Sequence, residues 1–88
     1  MIVEFNKKFI RELKKINDKR ILKKIELFIV QLESEENLLK FNNIKSLIGH
    51  KTFFRYKIDV WRIGFTLISG KIEIKTIQHR KEIYKNFP

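Results

Sequence analysis

The sequence predicts an α+β fold, with helices grouped before an antiparallel sheet and packed on one of its faces. Three observations predict it. Apolar residues recur at helical spacing through the first third of the chain, alternate in strand fashion from Phe54 onward, and are punctuated at Ser69-Gly70 by a two-residue turn signal. Grouped helices followed by grouped strands favour two segregated layers over alternating βαβ units.

The elements follow in order. Met1 to Phe5 alternates Ile2 and Glu4 with Val3 and Phe5, a short strand signal. Asn6 is placed to cap a helix over Lys7 to Ile16, where Phe9, Ile10, Leu13 and Ile16 form an apolar stripe. Asn17 and Asp18 interrupt that stripe, and either can end one helix and cap the next. The clearest helical pattern is Ile21, Leu22, Ile25, Phe28, Ile29 and Leu32, at intervals of three and four. The short junction makes the two helices an antiparallel hairpin. Ser34 to Asn43 reads as a polar connector, pinned to the core by Leu38, Leu39 and Phe41.

From Phe54 the period changes to two. Phe54, Tyr56 and Ile58 point one way, Arg55 and Lys57 the other, as in a half-buried strand. Asp59-Val60 marks a tight turn, Trp61 to Ile68 a second strand, and Ser69-Gly70 a hairpin in which glycine tolerates positive φ. Ile72 to Ile77 returns as a third strand, and Lys81 to Asn86 closes the chain with one or two helical turns. The helical hairpin is expected to cover one sheet face and to leave the other free. Arg55, Lys57 and Arg62 would project from that free face as a positive concave surface.

Charge indicates the partner class. Twenty Lys and Arg against ten Asp and Glu give +10, suited to a polyanion. The first 43 residues carry ten basic and seven acidic side chains, net +3, and the remainder carry ten and three, net +7, so the second half faces the anion. The absence of cysteine excludes disulfides and thiolate metal sites and fits a reducing, cytoplasmic compartment. No apolar run is long enough for a membrane span, and the first residues form no signal peptide. Eighty-eight residues make one domain.

Arg55, Lys57, Arg62, His79, Arg80 and Tyr84 combine fixed cations with an imidazole and a phenol. The mixture suits cleavage of RNA by its own 2′-hydroxyl, which needs a proton removed, charge neutralised on a pentacoordinate phosphate, and the departing 5′-oxygen stabilised. A guanidinium meets two phosphate oxygens, and His or Tyr transfers the proton. Positive surroundings favour an anionic phenol, which would suit Tyr84 to act as base, with His79 as acid and Arg80 on the phosphate. Plainer roles exist for both: Tyr84 as a core aromatic with a wet hydroxyl, His79 as a strand-end residue bonded to backbone. His50 and His79 lack carboxylates or thiolates at ligand spacing, so no metal is expected. No glycine-rich phosphate loop or nucleophile elbow is present, and no cofactor or small-molecule substrate is implied. Most of Phe53, Phe54, Tyr56, Trp61 and Phe65 read as core, with base stacking the alternative.

Leu47-Ile48-Gly49, Phe54-Arg55-Tyr56-Lys57-Ile58, Trp61-Arg62-Ile63, His79-Arg80-Lys81-Glu82-Ile83-Tyr84 and the ending Tyr84-Lys85-Asn86-Phe87-Pro88 stand in an order that resembles the RelE branch of the RelE/ParE toxin superfamily, the archaeal type especially. The resemblance covers nearly the whole chain, residues 1–88, as one RelE-like domain. It implies a type II toxin-antitoxin toxin: a ribosome-dependent, metal-independent messenger-RNA endonuclease acting in the ribosomal A site and held inactive by a cognate antitoxin. It implies catalytic roles for Arg62, His79, Arg80 and Tyr84, and phosphate binding by Arg55, Lys57, Lys51 and Lys81. The chain departs from the family pattern in its Asp59-Val60 turn, in Arg55 where lysine is common, and in lacking the glutamate base of some relatives, which leaves the base open. A ParE-like inhibitor that binds DNA gyrase without cutting, or an inactive nucleic-acid-binding module, is the alternative.

Overall fold

The computed structural model describes residues 1–88. The chain runs β1 (Ile2–Phe5), α1 (Lys7–Leu13), α2 (Lys19–Ser34), a single 3₁₀ turn at Leu38–Lys40, β2 (Ile44–Leu47), β3 (His50–Ile58), β4 (Trp61–Ile68), β5 (Lys71–His79) and α3 (Arg80–Asn86). The strands form one mixed sheet in the order β1-β5-β4-β3-β2, with β1 parallel to β5 and the remaining pairs antiparallel.

Local chemistry sets the element ends. The Asn6 side chain accepts the Lys8 N–H at 2.7 Å and opens α1. Asp18, rather than Asn17, caps α2, accepting from the N–H groups of Arg20 and Ile21. Helix α1 stops at Leu13, three residues short of the expected end, because Lys15 and Ile16 bond back to Glu12 and Leu13 in a tightened last turn. Ile16 stays buried even so, since its apolar surface, not its backbone geometry, ties it to the core. Ser69 and Gly70 both hold positive φ, 52° and 77°, the geometry that suits the twist of the β4–β5 hairpin.

Directly after the polar connector comes an element the periodicity did not mark. Ile44–Leu47 is strand β2, paired antiparallel to β3, which itself starts at His50 rather than Phe54. Four residues are too few to display a period. A second irregularity lies on β5: Gly64 faces Thr76 and Phe65 faces Ile74, leaving Lys75 unpaired as a bulge. The bulge returns Ile77 to the face already occupied by Ile72 and Ile74.

The core fills the space between the helical hairpin and one sheet face. Phe28 of α2 stacks on Tyr56 at 3.6 Å between centroids, meets Phe41 edge-on, and leans on Phe65, which in turn stacks on Phe54. Phe9, Ile25, Leu32, Ile63, Ile72 and Ile74 complete it. The other face is not left free as expected. Helix α3 lies across part of it, burying Ile83 and Phe87, and Gly64 makes room for the Phe87 ring: a Cβ there would sit 2.9 Å from three of its carbons. No helix is long and apolar enough to cross a membrane.

Candidate functional site

The face that carries α3 is tiled in rows by the strand register. One row runs Lys45 (β2), Arg55 (β3), Gly64 (β4), Thr76 (β5); the next runs Lys57, Arg62, Gln78. Lys45 therefore stands directly opposite Arg55, and Lys57 opposite Arg62. Like charges placed across a strand pair repel, so two such pairs side by side cost stability. None of the protein's ion pairs involves any of the four. A cation cluster with no internal counter-ion is electrostatically incomplete, and an anion docked on it would relieve the repulsion.

These side chains surround a cleft of about 320 Å³ with Asn42, Asn43 and Tyr84. Tyr84 enters from α3, where it is 66% exposed, and the Arg55 guanidinium carbon lies 4.6 Å from its ring centroid. That distance is in cation–π range and fixes the phenol beside the cation row. The other tyrosine, Tyr56, is stacked on Phe28, and burial pushes its phenol above the ordinary value of 10.0. The guanidinium of Arg62 donates to the carbonyls of Asp59 and Trp61 at 2.8 and 2.9 Å, which braces it against the β3–β4 turn. Asp59 in that turn holds φ at 52°, a conformation that Asp tolerates better than most residues.

Of the eight residues singled out from the sequence, four line the cleft: Arg55, Lys57, Arg62 and Tyr84. Arg80 is the first residue of α3, one helical turn before Tyr84 and on the same side, with its backbone N–H bonded to Val60 and its side chain exposed. Lys81 follows it, exposed. Lys51 stands at the far end of β3, away from the cleft. His79 pairs with Trp61, and alternation puts it on the sheet face opposite Gln78; its Nδ1 accepts the Lys81 N–H at 3.2 Å, capping α3. The bond to backbone weighed from the sequence is present, and His79 is not among the cleft residues.

Sequence reasoning missed Lys45, Asn42 and Asn43. Only the pairing of β2 with β3 brings them to the site, and the signal for β2 was too short to read. A wider depression, about 530 Å³, lies on the helix side of the sheet between α2 and the end of β3. Of the cation row only Lys57 borders it, and its other lysine, Lys24, is paired with Asp59 at 3.5 Å. No three His, Cys, Asp or Glu side chains gather as metal ligands.

Comparison with known proteins bears on this geometry. A family model described as ParE toxin of type II toxin-antitoxin system, parDE, matches residues 3–84. Toxin RelE3 of Methanocaldococcus jannaschii is 33% identical over 90 aligned positions, covering all of both chains. Among solved structures, a chain of a RelB-RelE antitoxin-toxin complex from Methanococcus jannaschii superposes with a TM-score of 0.83 at 29% identity, covering 97% of this chain and 99% of that one. A chain of the archaeal RelE-RelB complex from Pyrococcus horikoshii OT3 gives 0.74 at 18% identity, covering 90% and 93%, a likeness of fold.

Proposed function

We propose that this chain, which belongs to the ParE toxin family of type II toxin-antitoxin systems and is RelE-like over its full length, is a metal-independent endoribonuclease that cuts messenger RNA in the ribosomal A site. One observation carries the reading: two like-charge pairs, Lys45–Arg55 and Lys57–Arg62, share a cleft with an exposed phenol and have no carboxylate to answer them. A scissile phosphate supplies the missing charge, and the phenol supplies the proton-transfer group that plain binding does not require.

A base removes the proton of the 2′-hydroxyl, the 2′-oxygen attacks the adjacent phosphorus, and the bond from phosphorus to the 5′-oxygen breaks. The products are a 2′,3′-cyclic phosphate and a 5′-hydroxyl. Tyr84 is assigned as base, Arg55 and Lys45 to the phosphate oxygens, and Arg62 and Lys57 to the growing charge on the pentacoordinate state. Arg80, a turn before Tyr84, is assigned to the phosphate from α3. The departing 5′-oxygen takes its proton from a cleft ammonium. His79, set as a cap on the opposite face, serves α3 rather than the proton transfer. Lys51 and Lys81 are assigned to phosphates further along the strand.

A cognate antitoxin, a cytoplasmic setting and the ribosome as platform belong to the same proposal. The similar solved structures that are complexes of RelE with RelB support the antitoxin. The family model's description as a ParE toxin favours a second reading, inhibition of DNA gyrase by binding alone.

Adding the purified protein to translating ribosomes and mapping messenger ends separates the two. New ends with a 5′-hydroxyl inside the A-site codon are expected. Arg80→Ala and Tyr84→Phe should each slow cutting by about a hundredfold or more while leaving the fold and antitoxin binding intact. Intact messenger together with inhibited supercoiling would hand the function to the gyrase reading.

A further inference from the structure

Helix α3 has seven residues, too few for a helix to persist by itself, yet it carries Tyr84. Ile83 and Phe87 press its underside to the sheet. Apolar contact is non-directional, and it does not fix how far the helix rotates or slides. A directional link is present at its last turn. The Asn86 side-chain amide donates to Gln78 Oε1 at 3.0 Å and to the Glu82 carbonyl at 3.1 Å. Gln78 Nε2 then donates to Glu12 Oε2 at 3.1 Å and to Thr76 Oγ1 at 2.9 Å.

Glu12 belongs to α1, on the far side of the sheet. It reaches Gln78 because β1 covers β5 only from Lys71 to Ile74, leaving the rest of that edge open. Its carboxylate fills the place of the missing strand: Oε1 accepts the Ile77 N–H at 3.1 Å and the Thr76 hydroxyl at 2.6 Å. The carboxylate can only accept, so it sets the Gln78 amide with nitrogen toward α1 and oxygen toward α3, and Asn86 must donate. Gln78 in turn is the register partner of Arg62, one strand from the cation row.

We propose that Glu12, Gln78 and Asn86 are positioning residues, a hydrogen-bonded chain of fixed polarity that locks the rotation of α3 and so holds Tyr84 against Arg55 over the cleft. The catalytic consequence rests on the ribonuclease reading above; the anchoring of α3 does not. The three residues touch no substrate in that reading.

Asn86 is exposed, so Asn86→Asp leaves the core intact while turning the donor into an acceptor that faces two oxygens. Its kcat on ribosome-bound messenger should fall about tenfold with KM within about twofold, and amide exchange at Ile83–Phe87 should quicken about tenfold, the loss of one or two hydrogen bonds. The double variant Glu12→Gln with Asn86→Asp restores the link from α1 to α3 with reversed polarity, while the bonds to the Glu82 carbonyl and the Thr76 hydroxyl stay lost. The new amide on α1 then donates, the Gln78 amide flips, and its nitrogen faces the new carboxylate on α3. Recovery of a large part of both readouts in the double variant supports the proposal, because generic destabilisation would add rather than cancel. Unchanged exchange in Asn86→Asp, or a double variant no better than the single one, overturns it. A wild-type protein that cuts no messenger would sink the ribonuclease reading alone, and the exchange comparison would still decide the anchoring.

Discussion

The two faces of the sheet are made from alternate residues of the same strands and are stabilised in opposite ways. On the helix side, Ile63 and Phe65 of β4 are fully buried, and Phe28 alone packs its ring against three other aromatics. On the other side, Arg62 and Gly64 of that strand meet cations and a short helix that touches down through Ile83 and Phe87. One face is over-determined by packing. The other carries uncompensated charge at Lys45, Arg55, Lys57 and Arg62, tolerable only because its partner face holds the strands in register. A small domain thereby keeps an unfavourable electrostatic arrangement without a larger scaffold.

The largest test of that division is Phe65→Ala. Removing a fully buried ring that contacts Phe28 and Phe54 should cost about 3–5 kcal/mol, measured by urea denaturation. That is a large share of what a domain this size has to lose. A cost below about 1 kcal/mol, the level of an ordinary surface change, would break the comparison.

The adjoining residue probes the other face. Gly64→Ala adds one methyl, 2.9 Å from three carbons of the Phe87 ring. Overpacking of this kind costs about 1–3 kcal/mol, and the strain is relieved by α3 lifting rather than by the sheet moving. Stability should fall less than in Phe65→Ala, whereas exchange protection of α3 and the cutting rate should fall together. A variant that is neutral in all three would mean that α3 does not rest on the sheet at Gly64.

The same asymmetry explains what could be read without coordinates. The helix face was legible: the stripe Ile21, Ile25, Phe28, Leu32 and the alternation Phe54, Tyr56, Ile58 named the core, because burial writes a period into the chain. Strand β4 and the Ser69-Gly70 turn were legible for the same reason. The cleft was half legible. Alternation put Arg55 and Lys57 on one face, but Lys45 joins them through the short strand β2, and the link from Glu12 to Asn86 spans most of the chain without any local pattern. His79 shows the converse. Its neighbours Arg80 and Tyr84 grouped it with the cation set, and the register beyond the Lys75 bulge pairs it with Trp61, outside the cleft lining.

The smallest expected effect contrasts the cation row with the β1–β5 end of the sheet, where charges are matched. Glu73 accepts from Lys75 at 3.1 Å and from Asn6 at 3.4 Å, and Lys71 pairs with Glu4 at 2.9 Å. The Lys75 ammonium holds the Glu73 carboxyl below its ordinary 4.5. A depressed carboxyl stabilises the fold above the unfolded-state value, and that contribution drains away as pH falls through the folded-state value. Melting temperature should therefore decline as pH drops below 4.5, and Glu73→Gln should flatten that decline, measured by thermal melts across the acid range. The Glu73 side chain is 39% exposed, so the difference is small and shrinks with salt. Salt should act the other way on the cleft, where screening weakens the repulsion within Lys45–Arg55 and Lys57–Arg62. An Arg55→Gln variant should thus lose part of the wild type's salt-dependent gain in stability. Equal salt responses in the two proteins would show that the cation row bears no strain and that its lack of counter-ions carries no information about what it binds.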